Sequence, residues 1–74
     1  MELDKNQKDL IYDLIFSKNK SYKINLSEYL SNIYEYEHFI EEIKKILKRA
    51  NVKIVNSNIN LNNKMVIWEL KVKK

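Results

Sequence analysis

LSEYLSNIYEYEHFIEEIKKILKRAN, residues Leu26 to Asn51, decides the fold. In its second part, from Tyr36 onward, Tyr36, Phe39, Ile40, Ile43, Ile46, Leu47 and Ala50 fall on one side of a helix. Glutamates, lysines and the only histidine fill the other side, an amphipathic α pattern. The first part can be read in two ways. Leu26, Tyr29, Ile33, Tyr36, Ile40, Ile43, Leu47 and Ala50 keep heptad a/d spacing, which predicts one long helix pairing with a second copy as a coiled-coil dimer followed by a hairpin. Alternatively, Ser31-Asn32 supplies turn and cap chemistry, and Tyr34 and Phe39 leave the strict seam. That reading breaks the segment near Asn32 to Glu35 into a short helix, LSEYLSNI, and a longer one. Leu26, Tyr29, Leu30 and Ile33 of the short helix then face inward, and Ser27 or Asn25 caps it.

Working outward, Asp4 is an N-cap for a first helix to about Ser17, with Leu3, Leu10, Ile11, Leu14 and Ile15 as its buried stripe. Tyr12 and Phe16 lie on another side of it. This helix either packs between other elements and buries both faces, or offers the aromatic side to a partner. Tyr22-Lys23-Ile24 reads as a very short strand. On the other side, Asn51 can stop the long helix in a left-handed conformation. Val66, Trp68, Leu70 and Val72 then alternate with polar and apolar neighbours as a strand. A two-residue turn at Asn62-Asn63 would set Ile59 against Val66, Ser57 against Trp68, Val55 against Leu70 and Lys53 against Val72. A four-residue loop from Asn60 to Asn63 keeps the same faces together. Trp68 belongs to the hairpin's inner, core-facing side.

The 74 residues are read as one small α+β domain, 1–74, with three helices and a C-terminal β-hairpin. At this size folding buries roughly 60% of the chain's surface, so one modest core is available. No apolar run approaches the ~20 residues of a spanning helix. The start MELDKNQKD lacks the basic and apolar regions of a secretory signal. Cysteine is absent, which removes disulfides and thiolate metal sites; the expected compartment is cytoplasmic, or nuclear in a eukaryote. Glycine and proline are absent too, so asparagine, serine and lysine must make every turn. Richness in lysine, asparagine and isoleucine points to an AT-rich genome, and the small size suits a virus or mobile element.

The order helix, short strand, helix, helix, hairpin is that of a winged helix-turn-helix domain. LSEYLSNIYEYEHFIEEIKKIL resembles the "LSELAxxLxISxxxVxxxLKKL" run of bacterial and archaeal winged-helix regulators. In that comparison Leu26, Ser27, Glu28 and Leu30 open the second helix and Ile33 fills the apolar position of the turn. Phe39, Ile40, Ile43 and Leu47 form the core of the third helix. The run Tyr36, Phe39, Ile43, Leu47, Ala50-Asn51 before a hairpin is more loosely similar to the winged-helix repeats of plasmid replication initiators. The resemblance implies DNA binding in transcription or replication control, with the third helix in the major groove.

The charges modify that expectation. Between Ile24 and Ile43 stand five acids (Glu28, Glu35, Glu37, Glu41, Glu42) and no base, a charge of −5, whereas the remainder carries +9. Acids at a helix start and bases at its end suit the helix dipole, and Glu41 can pair with Lys45. An acidic start nevertheless repels phosphate, so base readout by this helix is disfavoured. The DNA contacts expected instead are Lys44, Lys45, Lys48 and Arg49, the hairpin tip Asn62, Asn63 and Lys64, and the loop lysines Lys18, Lys20 and Lys23. Such contacts are mostly to phosphate and weakly sequence-specific. A protein-interaction module is the alternative, through the face formed by Glu35, Glu37, His38, Glu41 and Glu42, or through a homodimer contact at Tyr12 and Phe16. Catalysis has little to work with: one histidine, no cysteine, no glycine-rich phosphate loop. His38 with nearby glutamates falls short of a usual metal ligand set. The chain is expected not to be an enzyme and to need no metal or cofactor.

Overall fold

In the computed structural model, which describes residues 3–74, Asp4 starts the first helix, α1 (Lys5–Phe16), through a reciprocal capping box. Its carboxylate accepts from the Gln7 amide at 2.9 Å, and the Gln7 side chain accepts from the Asp4 amide at 3.1 Å. Leu10, Ile11 and Leu14 are buried, with Leu3 and Ile15 half-buried beside them. Gln7 is buried as well, and its Nε2 donates to the Tyr29 carbonyl at 3.1 Å. One side chain thus closes the helix start and ties it to the segment after the first strand. The expectation that α1 buries both faces is corrected: Tyr12 and Phe16 are 66% and 67% exposed.

After β1 (Ser21–Asn25) the three-helix expectation fails. Where a second helix was expected, Leu26–Glu28 and Ile33–Glu35 form two single 3-10 turns. Asn25 and Asn32 stand in extended conformation, and their side chains accept from the amides of Ser27 and Tyr34 at 3.1 and 2.9 Å. These local bonds offer the backbone an alternative to the i→i−4 ladder, and an eight-residue helix has little cooperativity to resist them. Leu26 and Leu30 still reach the core, but Ile33 is 63% exposed and does not fill an inward position. The same break overturns the long-helix alternative.

The third expected helix is α2 (Tyr36–Arg49), which buries Phe39, Ile40, Ile43 and Leu47. Tyr36 and Ile46 are half-buried, and Ala50, expected on the buried stripe, is exposed because the helix has ended there. Asn51 adopts φ 61°. Its amide donates to the Lys48 carbonyl at 3.1 Å and that of Val52 to the Leu47 carbonyl at 2.8 Å, a Schellman closure with Val52 buried. Asparagine here does what glycine commonly does.

β2 (Lys53–Asn62) and β3 (Met65–Lys73) form the hairpin. Its turn is Asn63-Lys64, with φ 48° and 66°, one residue later than expected; two successive positive φ angles mark a type I′ turn. Asn62 pairs with Met65, Leu61 with Val66, Ile59 with Trp68 and Ser57 with Leu70. The pairing slips by two residues from the expected one, so the apolar faces still coincide. A register shift between Ile54 and Asn56 then places Val55 in a bulge. Ile54 instead of Val55 turns inward, half-buried against Val72, while Val55 is 57% exposed and Lys53 pairs with Lys73. Lys64 holds a conformation that costs a residue with a Cβ about 1–2 kcal/mol. Lys64→Gly is therefore expected to stabilise the domain by about 1 kcal/mol, read as a higher urea midpoint with an unchanged slope.

β1 pairs antiparallel with β3, Tyr22 opposite Leu70 and Ile24 opposite Trp68, giving a three-stranded sheet in the order β1-β3-β2. Ile24, Trp68, Leu70 and Val72 join Leu14, Leu26, Phe39, Ile43 and Leu47 in one core. Among the described residues no helix is long and apolar enough to cross a membrane.

Candidate nucleic-acid interface

The topology gathers bases at one end of the molecule. α2 finishes with Lys48 and Arg49 and passes through Asn51 straight to Lys53 at the start of β2. Lys53 pairs with Lys73 near the end of β3, and Ser21 with Lys71. The Val72 amide donates to the Lys20 carbonyl at 2.8 Å, which fixes the α1–β1 loop with Lys18 and Lys20 beside them. Lys74 Nζ donates to the Ser17 carbonyl and to the Tyr22 hydroxyl, the latter at 3.0 Å, and lies 5.5 Å from the centroid of the Tyr22 ring. Residues 14–21, 43–56 and 70–74, which build this end, contain no acid, although Glu69 lines a cleft with Lys71 and Lys23 beside it. Bases outnumber acids at this end, the condition that long-range attraction of phosphate needs.

Of the expected contacts, Lys18, Lys20, Lys48 and Arg49 belong to this end. Lys44 and Lys45 are partly compensated by Glu41 and Glu42, each at 3.7 Å. These are i,i+3 pairs, so the expected Glu41–Lys45 pairing is not the one formed. Lys23 stands opposite Glu69 in mid-strand. Asn62, Asn63 and Lys64 lie at the other end of the hairpin, nine residues along β2 from Lys53. At about 3.3 Å per residue that is roughly 30 Å, comparable with the longest extent of the molecule, 31 Å. The expected surface, helix bases plus hairpin tip, is thus split in two. Lys53, Lys71 and Lys73, none of them among the expected contacts, are placed at this end by strand pairing, and Lys74 by its bonds to Ser17 and Tyr22.

Comparison of the chain with protein-family models, curated proteins and solved structures found no match. The remaining observations concern the acidic side. Glu35, Glu37 and His38 are exposed at the start of α2, followed by exposed Glu41 and half-buried Glu42. A second acidic group comes from tertiary folding: Asp9 and Asp13 of α1 face a cleft also lined by Glu28 and Tyr29. Burial, with Glu28 and Asp13 adding negative potential, raises the Tyr29 hydroxyl above its ordinary pKa. Among the described residues no group of three His, Cys, Asp or Glu is placed to hold a metal ion. Tyr12 and Phe16, both exposed, pack on each other with tilted rings, centroids 4.5 Å apart and planes at 41°. Trp68 is fully buried and offers no stacking platform for a base.

Proposed function

We propose that this chain is a small winged-helix-type domain that binds duplex nucleic acid through its phosphates, in transcription or replication control. The convergence of bases from the α1–β1 loop, the end of α2, β2 and the end of β3 on one predominantly basic end carries the reading. The helix, short strand, later helix and C-terminal hairpin support this reading, although two 3-10 turns stand where the winged-helix order has its second helix. The acidic start of α2 turns away from phosphate, and the basic end takes the contact in its place. Lysine dominates this end; it meets phosphate as a point charge on a flexible stem and reads no base.

Fluorescence anisotropy with random duplex DNA tests the proposal. If about six phosphates are neutralised, affinity falls on the order of 1,000-fold between about 50 and 200 mM salt, with little dependence on sequence. Absence of binding at low salt ends this reading. A second reading, a protein-interaction module, is favoured by the exposed Tyr12–Phe16 pair and the acidic start of α2.

A further inference from the structure

β2 is an edge strand, and among the described residues nothing pairs with its outer side. The two-residue turn decides which backbone groups face outward. With Asn62 opposite Met65 next to the turn, Asn62, Asn60 and Asn58 bond to β3, and the N–H and C=O groups of Leu61, Ile59 and Ser57 point off the sheet. Edge strands are ordinarily guarded by charge, proline or shortness. β2 is ten residues long, and residues 54–63 contain neither a charged residue nor a proline. The bulge at Val55 blunts only one end.

The side chains of this strand are also suited to a copy of themselves. On the side toward the helices stand Ile59 and Leu61, 54% and 81% exposed. They wall a cleft of about 670 Å³ with Ile33, Tyr36 and Val66, its α2 side carrying Glu37, Glu41 and Lys44. On the opposite side, Asn56, Asn58, Asn60 and Asn62 recur at every second position, all exposed. Asparagine is a poor strand former, so four in alternation call for a reason beyond propensity. Stacked amide side chains bonding across a strand junction supply one.

We propose that this edge is a self-association surface whose partner is β2 of a second copy of the chain, joined antiparallel about a two-fold axis through Ile59. That symmetry sets Ile59 against Ile59, Ser57 against Leu61, Asn58 against Asn60 and Asn56 against Asn62. The outward backbone groups of each strand meet those of the other, apolar side chains meet on one face and amides on the other. The paired residues 56–62 carry no charge, and the two sheets become one of six strands. The strand's own residues 54–63 offer a charged peptide no complementary charge, and Glu69 beside them is held by the Asn60 side chain.

The cysteine-free chain makes the geometry directly testable. Directly opposed hydrogen-bonded residues have Cα atoms about 5.5 Å apart, within disulfide range. Ile59→Cys is expected to form an intermolecular disulfide readily on mild oxidation, and Phe16→Cys is the control. In sedimentation at high micromolar concentration the wild-type chain should show twice the monomer mass. Ile59→Lys, which places a charge at the dyad, should return it to monomer with an unchanged circular dichroism spectrum. A wild-type monomer, or a dimer that survives Ile59→Lys, overturns the proposal. So does cross-linking of Phe16→Cys as fast as Ile59→Cys, which would move the contact to the aromatic pair on α1. The Ile59→Cys result stands even if the lysine variant folds poorly.

Discussion

Trp68→Ala is expected to cost about 3–5 kcal/mol of stability, the range for removing a large buried aromatic side chain. Trp68 is 0% exposed on the central strand, flanked by Ile24 of β1 and Ile59 of β2. Its indole N–H donates to the Ser57 hydroxyl at 2.8 Å, so the ring is satisfied as well as packed. A domain of this length has roughly 4–11 kcal/mol in total, at about 0.05–0.15 kcal/mol per residue. One substitution therefore removes a large part of the margin, and the variant should be substantially unfolded at modest urea concentration. Circular dichroism is the measurement, since the chain has no other tryptophan for fluorescence. Trp68→Phe keeps most of the apolar volume and leaves Ser57, which is half-buried, free to bond water; its cost should be clearly smaller. A loss below about 1 kcal/mol for the alanine variant would place the ring outside the core, against the cavity argument.

The second large effect is on binding. The double substitution Lys48→Glu/Arg49→Glu replaces two attractive phosphate contacts by two repulsive ones at the basic end. Affinity for random duplex should fall on the order of 100-fold at low salt, and the salt slope should drop by about 2. Neither residue takes part in an ion pair among the described residues, whereas Lys44 and Lys45 do, so the effect of this pair should exceed that of Lys44→Glu/Lys45→Glu. Acids at a helix C-terminus also cost about 0.3–1 kcal/mol each, so thermal melting must show that the variant remains folded during the titration. Lys64→Glu is the discriminating control. It lies roughly 30 Å from the basic end by strand geometry, and its effect should be small. If it matches the α2 substitutions, the hairpin tip is the contact and the proposed orientation is wrong.

Much of the architecture was legible because it rests on local chemistry. The Asp4 cap, the stripe of α2, the left-handed stop at Asn51 and the alternation of β3 all follow from neighbours within a few residues. The second helix was misread for the same reason. Its apolar spacing is helical, but Asn25 and Asn32 bond the backbone locally and win over a short helix. Gln7 showed no sequence signal beyond its place three residues after Asp4, since its buried bond to Tyr29 joins residues distant along the chain. The candidate site was legible as a list of bases and illegible as a surface. Lys53 and Lys73 are neighbours through a bulged strand pairing that no periodicity displays, and the same pairing sends Lys64 to the far end.

Periodicity and capping chemistry in the chain specify α1, α2 and the hairpin strands, the main buried stripe of each helix, and that acids and bases are segregated. Folding decides how those faces and charges combine. β1 inserts on the far side of β3, Val55 is pushed into a bulge, and β2 is left as an uncovered edge. The physical reason is the range of the interactions. Caps, turns and stripes are settled by bonds a few residues apart, whereas sheet order and register depend on long-range packing around Trp68.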